Sequence, residues 1–181
     1  MTQEPRPKPL VCLVGFMGSG KSTVAKLLRR QTGWPTIDLD KRITEATGLA
    51  ITDIFARMGE AEFRRIEHEQ LVHAVAEAEE QPKPTIISLG GGTITQPQNT
   101  ALLREHDAAL VWLHCPIEEL LNRCAQINDR PLFRDEQSFR RLYQERLAFY
   151  EAADFRVDGN ADPLRVVEQI LGLGVFPRVT A

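Results

Sequence analysis

The sequence predicts an α/β protein in which a five-stranded parallel β-sheet is flanked by helices on both faces. Three observations lead to this fold class. Short apolar segments alternate with amphipathic segments along the whole chain, as strands and helices do in proteins with a parallel sheet. The first of these segments, Leu10 to Val14, is apolar at every position, which is typical of a strand buried on both faces. The 181 residues suit one domain, and neither an internal repeat nor a linker divides them.

The elements follow one another in an order that repeats strand and helix. Strands are expected over residues 10–14, 35–38, 85–89, 108–114 and 154–157. Helices are expected from Ser22 to near Gly33, over 41–47 and 51–58, from Gly59 onward, after Pro97, from Pro116, and over 138–152 and 163–171. We expect residues 1–9 to form a flexible polar leader and residues 10–181 to form one domain. Within that domain, about 125–136 lack a clear period and are expected to form a mobile lid.

Composition argues against several classes of protein. Hydrophobic residues make up 43% and charged residues 26% of the chain, and the net charge is −3. We therefore expect neither global disorder nor a nucleic-acid partner. Residues 1–9 lack the apolar core of a signal peptide, and no apolar run reaches the roughly 20 residues that span a membrane. The three cysteines form no C-x-x-C pair, and Cys12 and Cys115, which lie in apolar runs, are expected to be buried thiols. We expect a cytoplasmic monomer with no membrane partner.

The segment from Gly15 to Ser22 matches the pattern G-x-x-x-x-G-K-[ST] at every fixed position. Glycines let the backbone wrap a polyphosphate with its N–H groups, and the following helix directs its N-terminus at the same phosphates. Lys21 brings positive charge to the β- and γ-phosphates, and the Ser22 hydroxyl can ligate Mg²⁺. Because a predicted strand precedes the motif and a predicted helix follows it, we expect a P-loop that binds ATP and Mg²⁺. The expected nucleotide contacts are Met17, Gly18, Ser19, Gly20, Lys21, Ser22 and Thr23.

Motors, GTPases and small-molecule kinases all carry P-loops, so other features must separate these classes. The chain lacks the N/T-K-x-D tetrapeptide with which GTPases bind guanine. Its length also suits a one-domain kinase better than a motor. The prediction is therefore a three-layer P-loop kinase that has a five-stranded parallel sheet and a mobile lid.

Two carboxylates close the second predicted strand in the tripeptide Asp38-Leu39-Asp40. If this segment stays extended, both carboxylates lie on one side, at the end of the strand where parallel sheets bind ligands. Asp38 is then a candidate for the Mg²⁺ shell. Asp40 is a candidate for orienting or deprotonating an acceptor hydroxyl. The alternative is that one of them caps the helix predicted from Lys41, and the two roles can overlap.

A triple glycine, Gly90 to Gly92, follows the third predicted strand. Three glycines favour a close approach of ligand to backbone, with a loose turn as the alternative. Arg64 and Arg65 are adjacent on a predicted helix and point about 100° apart, so at most one of them faces the crevice squarely. From the residues alone, the choice between them stays open.

Two further arginines are candidates for charge neutralisation. Arg130 lies in the predicted lid, where it can close over ATP and stabilise the charge that develops during phosphoryl transfer. Arg146 lies on the next predicted helix, and its planar guanidinium can bind a carboxylate through two hydrogen bonds.

These motifs, in this order, resemble the shikimate kinase family from the phosphate loop to about Asp158. The resemblance rests on D-L-D at 38–40, G-E…F-R-R-I-E at 59–67, L-G-G-G at 89–92, R-P-L at 130–132 and Arg146…Tyr150. It implies an enzyme of aromatic amino acid biosynthesis, on the route to chorismate. That enzyme transfers the ATP γ-phosphoryl to the 3-hydroxyl of shikimate, a cyclohexene carboxylate with three hydroxyls, and releases shikimate 3-phosphate and ADP.

The resemblance also implies how shikimate is bound. Asp40 would bind the substrate hydroxyls, while Arg64, rather than Arg65, and Arg146 would bind the carboxylate. The triple glycine, Gly90, Gly91 and Gly92, would add backbone contacts.

For the nucleotide, the resemblance implies Mg²⁺ at Ser22, with Asp38 nearby through water. Arg130 would reach the ATP phosphates, and Arg123 would lie against adenine. Some relatives carry a basic residue after the last strand, whereas this chain has D-G-N-A-D at 158–162, so we expect no such side-chain contact with adenine there. The expected mechanism is in-line transfer with Lys21, Asp40 and Arg130 as catalytic residues.

Two alternatives differ in activity. One is another small-molecule kinase on the same scaffold, for gluconate or a nucleoside monophosphate. The other is a nucleotide-binding regulator that has lost phosphoryl transfer. Arg64 and Arg146 supply two cations for one carboxylate, which favours an acidic polyol as the substrate. The presence of Asp40 and Arg130 beside them favours an active kinase over a regulator.

Overall fold

The protein is described by a computed structural model that covers residues 10–125 and 135–176. Five strands form one sheet in the order β2-β3-β1-β4-β5, and every neighbouring pair is parallel. The strands are β1 (Leu10–Val14), β2 (Thr36–Asp38), β3 (Thr85–Ser88), β4 (Ala109–His114) and β5 (Phe155–Asp158). The predicted five-stranded parallel sheet is confirmed, with strand ends within a residue or so of those expected.

The helices of the described ranges cover both faces of this sheet. They are α1 (Lys21–Thr32), α2 (Leu39–Thr47), α3 (Ile51–Glu79), α4 (Pro97–Glu105), α5 (Ile117–Ala125), α6 (Glu136–Glu151) and α7 (Pro163–Leu171), together with a 3₁₀ turn at Thr93–Thr95. None of these helices is long and apolar enough to cross a membrane. The three cysteines are buried and free, which confirms the prediction for Cys12 and Cys115.

Alternate residues of the central strand β1 separate two hydrophobic cores. Leu10, Cys12 and Val14 pack on the face that carries α2 to α6. Val11 and Leu13 pack on the opposite face with α1 and α7. Both sets are almost fully buried, because a central strand with helices on each side has no solvent-facing surface. The three-layer arrangement predicted from the sequence follows from this alternation.

The structure corrects the expected start of the second helix. Helix α2 begins at Leu39, two residues before the predicted position. The reason is that the Asp38 side chain accepts a hydrogen bond from the Lys41 N–H at 3.1 Å and so caps the helix. The segment is therefore not extended through Asp40, which lies in the first helical turn. Its carboxylate reaches the crevice from a helix rather than from a strand.

Gly59 has non-helical angles, φ 82° and ψ 172°, and so divides α3 at a kink into two helical parts, as the sequence predicted. Such a left-handed conformation strains residues that have a Cβ. The 3₁₀ turn that follows the triple glycine was not predicted. The expected leader at 1–9 and most of the expected lid, 126–134, lie outside the described residues, so both stay predictions.

The loops that carry the predicted site residues lie at one edge of the sheet, where the strands end. The carboxyl ends of β1, β2 and β3 lead into the phosphate loop, α2 and the triple glycine, and that of β5 leads into residues 159–162. In parallel sheets this edge is where ligands bind.

One side-chain hydrogen bond, between the residue before β5 and β4, allows a test of the sheet's stability. The Asp154 carboxylate accepts a hydrogen bond from the N–H of buried Leu110 in β4 at 2.8 Å, just before β5 begins. We expect Asp154→Ala to lower the free energy of unfolding by about 1–2 kcal/mol, because it leaves this N–H without a partner. Urea denaturation measures the loss. Asp154→Asn keeps an acceptor oxygen and should lose clearly less; equal stability of Asp154→Ala and the wild type would contradict the assignment.

Candidate nucleotide and substrate site

The phosphate loop takes a shape that favours glycine at the two fixed glycine positions of the pattern, Gly15 and Gly20, and also at Gly18. Gly15, Gly18 and Gly20 have φ values of 148°, 81° and 91°. A Cβ at Gly15 would lie 2.8 Å from the Ser19 Oγ and 2.9 Å from the Leu113 carbonyl oxygen, closer than atoms can pack. Gly20 is the N-cap of α1, so the helix N-terminus begins directly at the loop, as anion binding requires.

Lys21 lies against the loop that it ends. Its Nζ donates to the carbonyl oxygens of Gly15 and Phe16 at 2.7 and 3.1 Å, and lies 3.4 Å from the Ser19 Oγ. These contacts keep the ammonium group at the loop, where a P-loop kinase needs positive charge beside the β- and γ-phosphates.

Ser22 and Asp38 meet where α1 begins and β2 ends. The Ser22 Oγ donates to the Asp38 Oδ2 at 2.7 Å, so the two groups expected at the metal site are adjacent. No group of three or more metal-binding side chains occurs among the residues that the structure describes. This arrangement fits Mg²⁺ in kinases, which is held by one or two protein oxygens together with phosphate oxygens and water.

A cavity of about 380 Å³ extends from the phosphate loop along the edge of the sheet. Its size falls in the range that is usual for small-molecule sites. The cavity is lined by the phosphate loop and the start of α1, by the carboxyl end of β3 and the residues after it, by single residues of α2 and α5, and by the segment after β5 and the start of α7. These residues are 18–24, Asp40, Ser88, Leu89, Gly91, Arg123, Gly159, Ala161, Pro163 and Val166.

Arg123 joins the phosphate loop to the segment that follows β5. Its guanidinium donates to the carbonyl oxygens of Gly18 and Gly159 at 3.3 and 3.5 Å, and to the Asn160 Oδ1 at 3.1 Å. Glu119 holds its Nε at 2.8 Å. From this segment, Gly159 and Ala161 line the cavity.

A second cavity, of about 360 Å³, lies beside the first and shares Asp40 and Gly91 with it. Apolar, hydroxyl and charged side chains line this second cavity: Met17, Asp40, Thr44, Ala50, Ile51, Thr52, Phe55, Phe63, Arg64, Glu67, Gly90, Gly91, Gly92 and Arg146. All the predicted substrate-binding residues therefore occur in one lining, and Asp40 stands at its junction with the phosphate cavity.

Two guanidinium groups converge on Gly92 in the second cavity. The position that a Cβ would take at Gly92 is 2.6 Å from Nη2 of Arg64 and 3.0 Å from Nη2 of Arg146. Only 11% of the Arg64 side chain is exposed, whereas Arg65 is 60% exposed and pairs with Glu62 at the surface. The structure thus places Arg64, and not its neighbour, in the crevice.

Buried partners fix both arginines and the glycine backbone between them. Arg64 donates to the Glu67 Oε2 at 2.8 Å, and the Arg146 guanidinium lies 5.7 Å from the centre of the Phe16 ring. The Tyr150 hydroxyl donates to the Gly91 carbonyl oxygen at 2.6 Å. Burial raises the pKa of the Tyr150 phenol, so this group stays a neutral donor.

Sequence reasoning gave no role to several of these residues. Glu67 stands three positions after Arg64 on a helix, and that spacing could have identified it as a partner. Phe55 gave no comparable signal, because apolar and aromatic residues at helical spacing usually belong to the core. Tyr150 was part of the motif Arg146…Tyr150, but the sequence assigned no contact to it. Arg130 lies outside the described residues, so its role in the lid stays a prediction.

The family model described as Shikimate kinase matches residues 17–173. The chain belongs to the shikimate kinase family. Among its relatives, the shikimate kinase of Geobacter metallireducens is 39% identical over 166 residues, covering 90% of this chain and 89% of the relative. The shikimate kinase of Persephonella marina is 34% identical over 164 residues and covers 90% and 96%. The resemblance predicted from the motifs is confirmed.

A solved structure agrees with this assignment. Shikimate kinase from Acinetobacter baumannii, in complex with shikimate, is 33% identical to this chain and superposes with a TM-score of 0.82. The match covers 91% of this chain and 92% of that one, so the P-loop kinase fold extends over nearly the full length.

The triple glycine allows a test of how tightly the site is built. A Cβ at Gly90 would lie 2.9 Å from the Asp40 Oδ1, 3.0 Å from the Thr93 Oγ1 and 3.1 Å from the Glu67 Oε1. Because Thr93 and Glu67 are buried, we expect Gly90→Ala to lower the free energy of unfolding by about 1–3 kcal/mol.

The neighbouring glycine is the matched control. A Cβ at Gly91 would lie 3.2 Å from the flexible end of Arg146, and its next neighbours, the Gly15 carbonyl oxygen and the Met17 nitrogen, are both at 3.7 Å, an ordinary contact distance. Gly91→Ala should therefore change the stability by less than about 1 kcal/mol. Chemical denaturation of both variants measures the difference, and equal losses would show that the two positions are not distinguished by packing.

Proposed function

We propose that this protein is a shikimate kinase that transfers the γ-phosphoryl of ATP to the 3-hydroxyl of shikimate. The observation that carries the proposal is the pair of guanidinium groups, Arg64 and Arg146, in a cavity that meets the phosphate-loop cavity at Asp40. Membership of the shikimate kinase family supports it, as does the similarity to a structure that contains shikimate.

The charges of the second cavity suit a small carboxylate with hydroxyl groups. The two guanidinium groups near Gly92 offer several charged N–H donors to a carboxylate. Phe55 and Phe63, whose ring centres are 4.5 Å apart, give a ring of carbon atoms an apolar wall. Asp40 faces the hydroxyl end of such a substrate, beside the phosphate loop.

In this proposal, catalysis depends on position and charge. Asp40 orients the acceptor hydroxyl and accepts its proton, while Lys21 stabilises the charge on the γ-phosphoryl oxygens. Ser22 and Asp38 would hold Mg²⁺, which supplies further charge neutralisation when bound. Arg130 would add a positive charge from the lid. The backbone N–H groups and the positive end of α1 hold the phosphates in line with the acceptor.

Several expectations accompany the proposed activity as predictions. We expect ATP as co-substrate with Mg²⁺, no nucleic-acid or membrane partner, a monomer, and a cytoplasmic location. The leader at 1–9 and the lid at about 125–136 are proposed parts of a single kinase domain.

The activity can be tested by ADP release from purified protein with ATP and Mg²⁺. We expect turnover with shikimate and little with gluconate or nucleoside monophosphates. Lys21→Ala and Asp40→Ala should keep the fold, as judged by thermal unfolding, and lose at least roughly 100-fold in kcat. Turnover of gluconate instead of shikimate would support the alternative kinase. ATP binding without any phosphoryl transfer would support the nucleotide-binding regulator. Near-normal activity of the Asp40→Ala enzyme would contradict the role given to that carboxylate.

Adjacent arginines allow a matched test of carboxylate binding. We expect Arg64→Gln to raise the KM for shikimate by roughly 10- to 100-fold, because a charge-assisted hydrogen bond is lost. Arg65→Gln, on the exposed side of the same helix, should leave that KM almost unchanged. Steady-state kinetics with each substrate varied in turn separates the effects, and the KM for ATP should stay constant in both variants. Equal effects of the two substitutions would contradict the assignment of Arg64.

A further inference from the structure

A buried chain of hydrogen bonds leads away from the second cavity toward α4. Arg64 donates to the Glu67 Oε2 at 2.8 Å, and the Thr93 hydroxyl donates to the Glu67 Oε1 at 2.6 Å. The Asn99 Nδ2 donates to the Thr93 carbonyl oxygen at 3.0 Å, and the Asn99 Oδ1 lies 2.7 Å from the His68 Nδ1. Glu67, Thr93 and Asn99 are at most 1% exposed.

Thr93 determines how the Glu67 carboxylate is turned. A carboxylate accepts hydrogen bonds only, so the hydroxyl must be the donor. With Oε1 held by Thr93, the second oxygen is presented to Arg64. Removing the hydroxyl would leave a buried carboxylate oxygen without this partner, which is costly away from water.

Asn99 holds Thr93 in turn. Its amide nitrogen donates to the Thr93 carbonyl oxygen, which fixes the 3₁₀ turn that follows the triple glycine. Because the amide nitrogen is committed in this way, its oxygen is the acceptor toward the His68 ring, and the Nδ1 of that ring must carry the proton. The chain of contacts therefore ties α3 to the turn and to α4.

Arg64 has a competing partner on the solvent side. Its Nη2 lies 3.3 Å from the Glu60 Oε1, and the Glu60 side chain is 67% exposed. If Glu67 were free to rotate, its hold on Arg64 would weaken, and the guanidinium could turn toward Glu60 and away from Gly92.

We infer that Thr93 and Asn99 are positioning residues for the substrate carboxylate, acting through Glu67 on the guanidinium of Arg64. The inference rests on the proposed function, in which Arg64 binds the carboxylate of shikimate. Thr93 does not line the second cavity and acts without touching the substrate.

Kinetics of threonine variants test this inference. We expect Thr93→Val to raise the KM for shikimate roughly tenfold, with kcat and the KM for ATP little changed. Thr93→Ser, which restores the hydroxyl, should behave like the wild type. Thr100→Val is the control, because its hydroxyl holds the Ile94 carbonyl oxygen of the same turn at 2.9 Å and has no hydrogen bond to Glu67. If the Thr93→Val protein does not fold, Thr93→Ala takes its place in this experiment.

A second measurement does not depend on the substrate. ¹⁵N relaxation of the Arg64 Nε–H, assigned by its loss in Arg64→Lys, should show an ordered side chain in the wild type and a mobile one in Thr93→Val. The inference would be overturned if Thr93→Val left the KM for shikimate unchanged and Arg64 ordered. It would also be overturned if Thr100→Val changed the KM and the order of Arg64 as much as Thr93→Val does. A wild-type enzyme without shikimate turnover would instead contradict the proposed function, and the relaxation data would still decide whether Thr93 holds Arg64.

Discussion

The site depends on a stretch of backbone that carries no side chains. At Gly90, Gly91 and Gly92 the space where a Cβ would lie is approached by functional groups of other elements: the Asp40 carboxylate, the Arg146 guanidinium and the Arg64 guanidinium. Three charged side chains from three different helices can converge here because the glycines between them have no side chains. A longer residue at any of these positions would push one of the charges out of place.

The parallel sheet is what brings those helices to one edge. Each strand of the sheet ends on the same side, so the phosphate loop after β1, the helix α2 after β2 and the triple glycine after β3 become neighbours. The two hydrophobic cores fix the helices relative to the sheet, since residues of β1 alternate between them. The polar residues of the site are therefore held by apolar packing behind them.

Much of this arrangement could be predicted from the sequence, for physical reasons that differ by element. Uniformly apolar strands such as Leu10–Val14 and a glycine-rich loop with Lys21 carry local signals. The choice between Arg64 and Arg65 was not local, because it depends on which side of α3 faces the sheet. The helical position of Asp40 depended on which of two aspartates caps α2, and propensity favours both.

The buried contacts of Thr93 and Asn99 were not predicted at all. In a sequence, threonine and asparagine near glycine and proline indicate a turn. Nothing local shows that Thr93 meets a glutamate 26 positions earlier, or that Asn99 meets a histidine 31 positions earlier. Such contacts arise only when α3 packs beside the turn and α4. Polar networks of this kind are a general limit of reading single sequences, since each partner has an ordinary local explanation.

The shared lining of the two cavities has a consequence for inhibitor chemistry. Because Asp40 and Gly91 belong to both, a single compound with a carboxylate at one end and an adenosine phosphate at the other could occupy both at once. Its phosphate end alone would fit many P-loop enzymes. Selectivity would come from the end that meets two arginines over a bare glycine backbone, and the length of the bridge past Asp40 would be the feature to optimise.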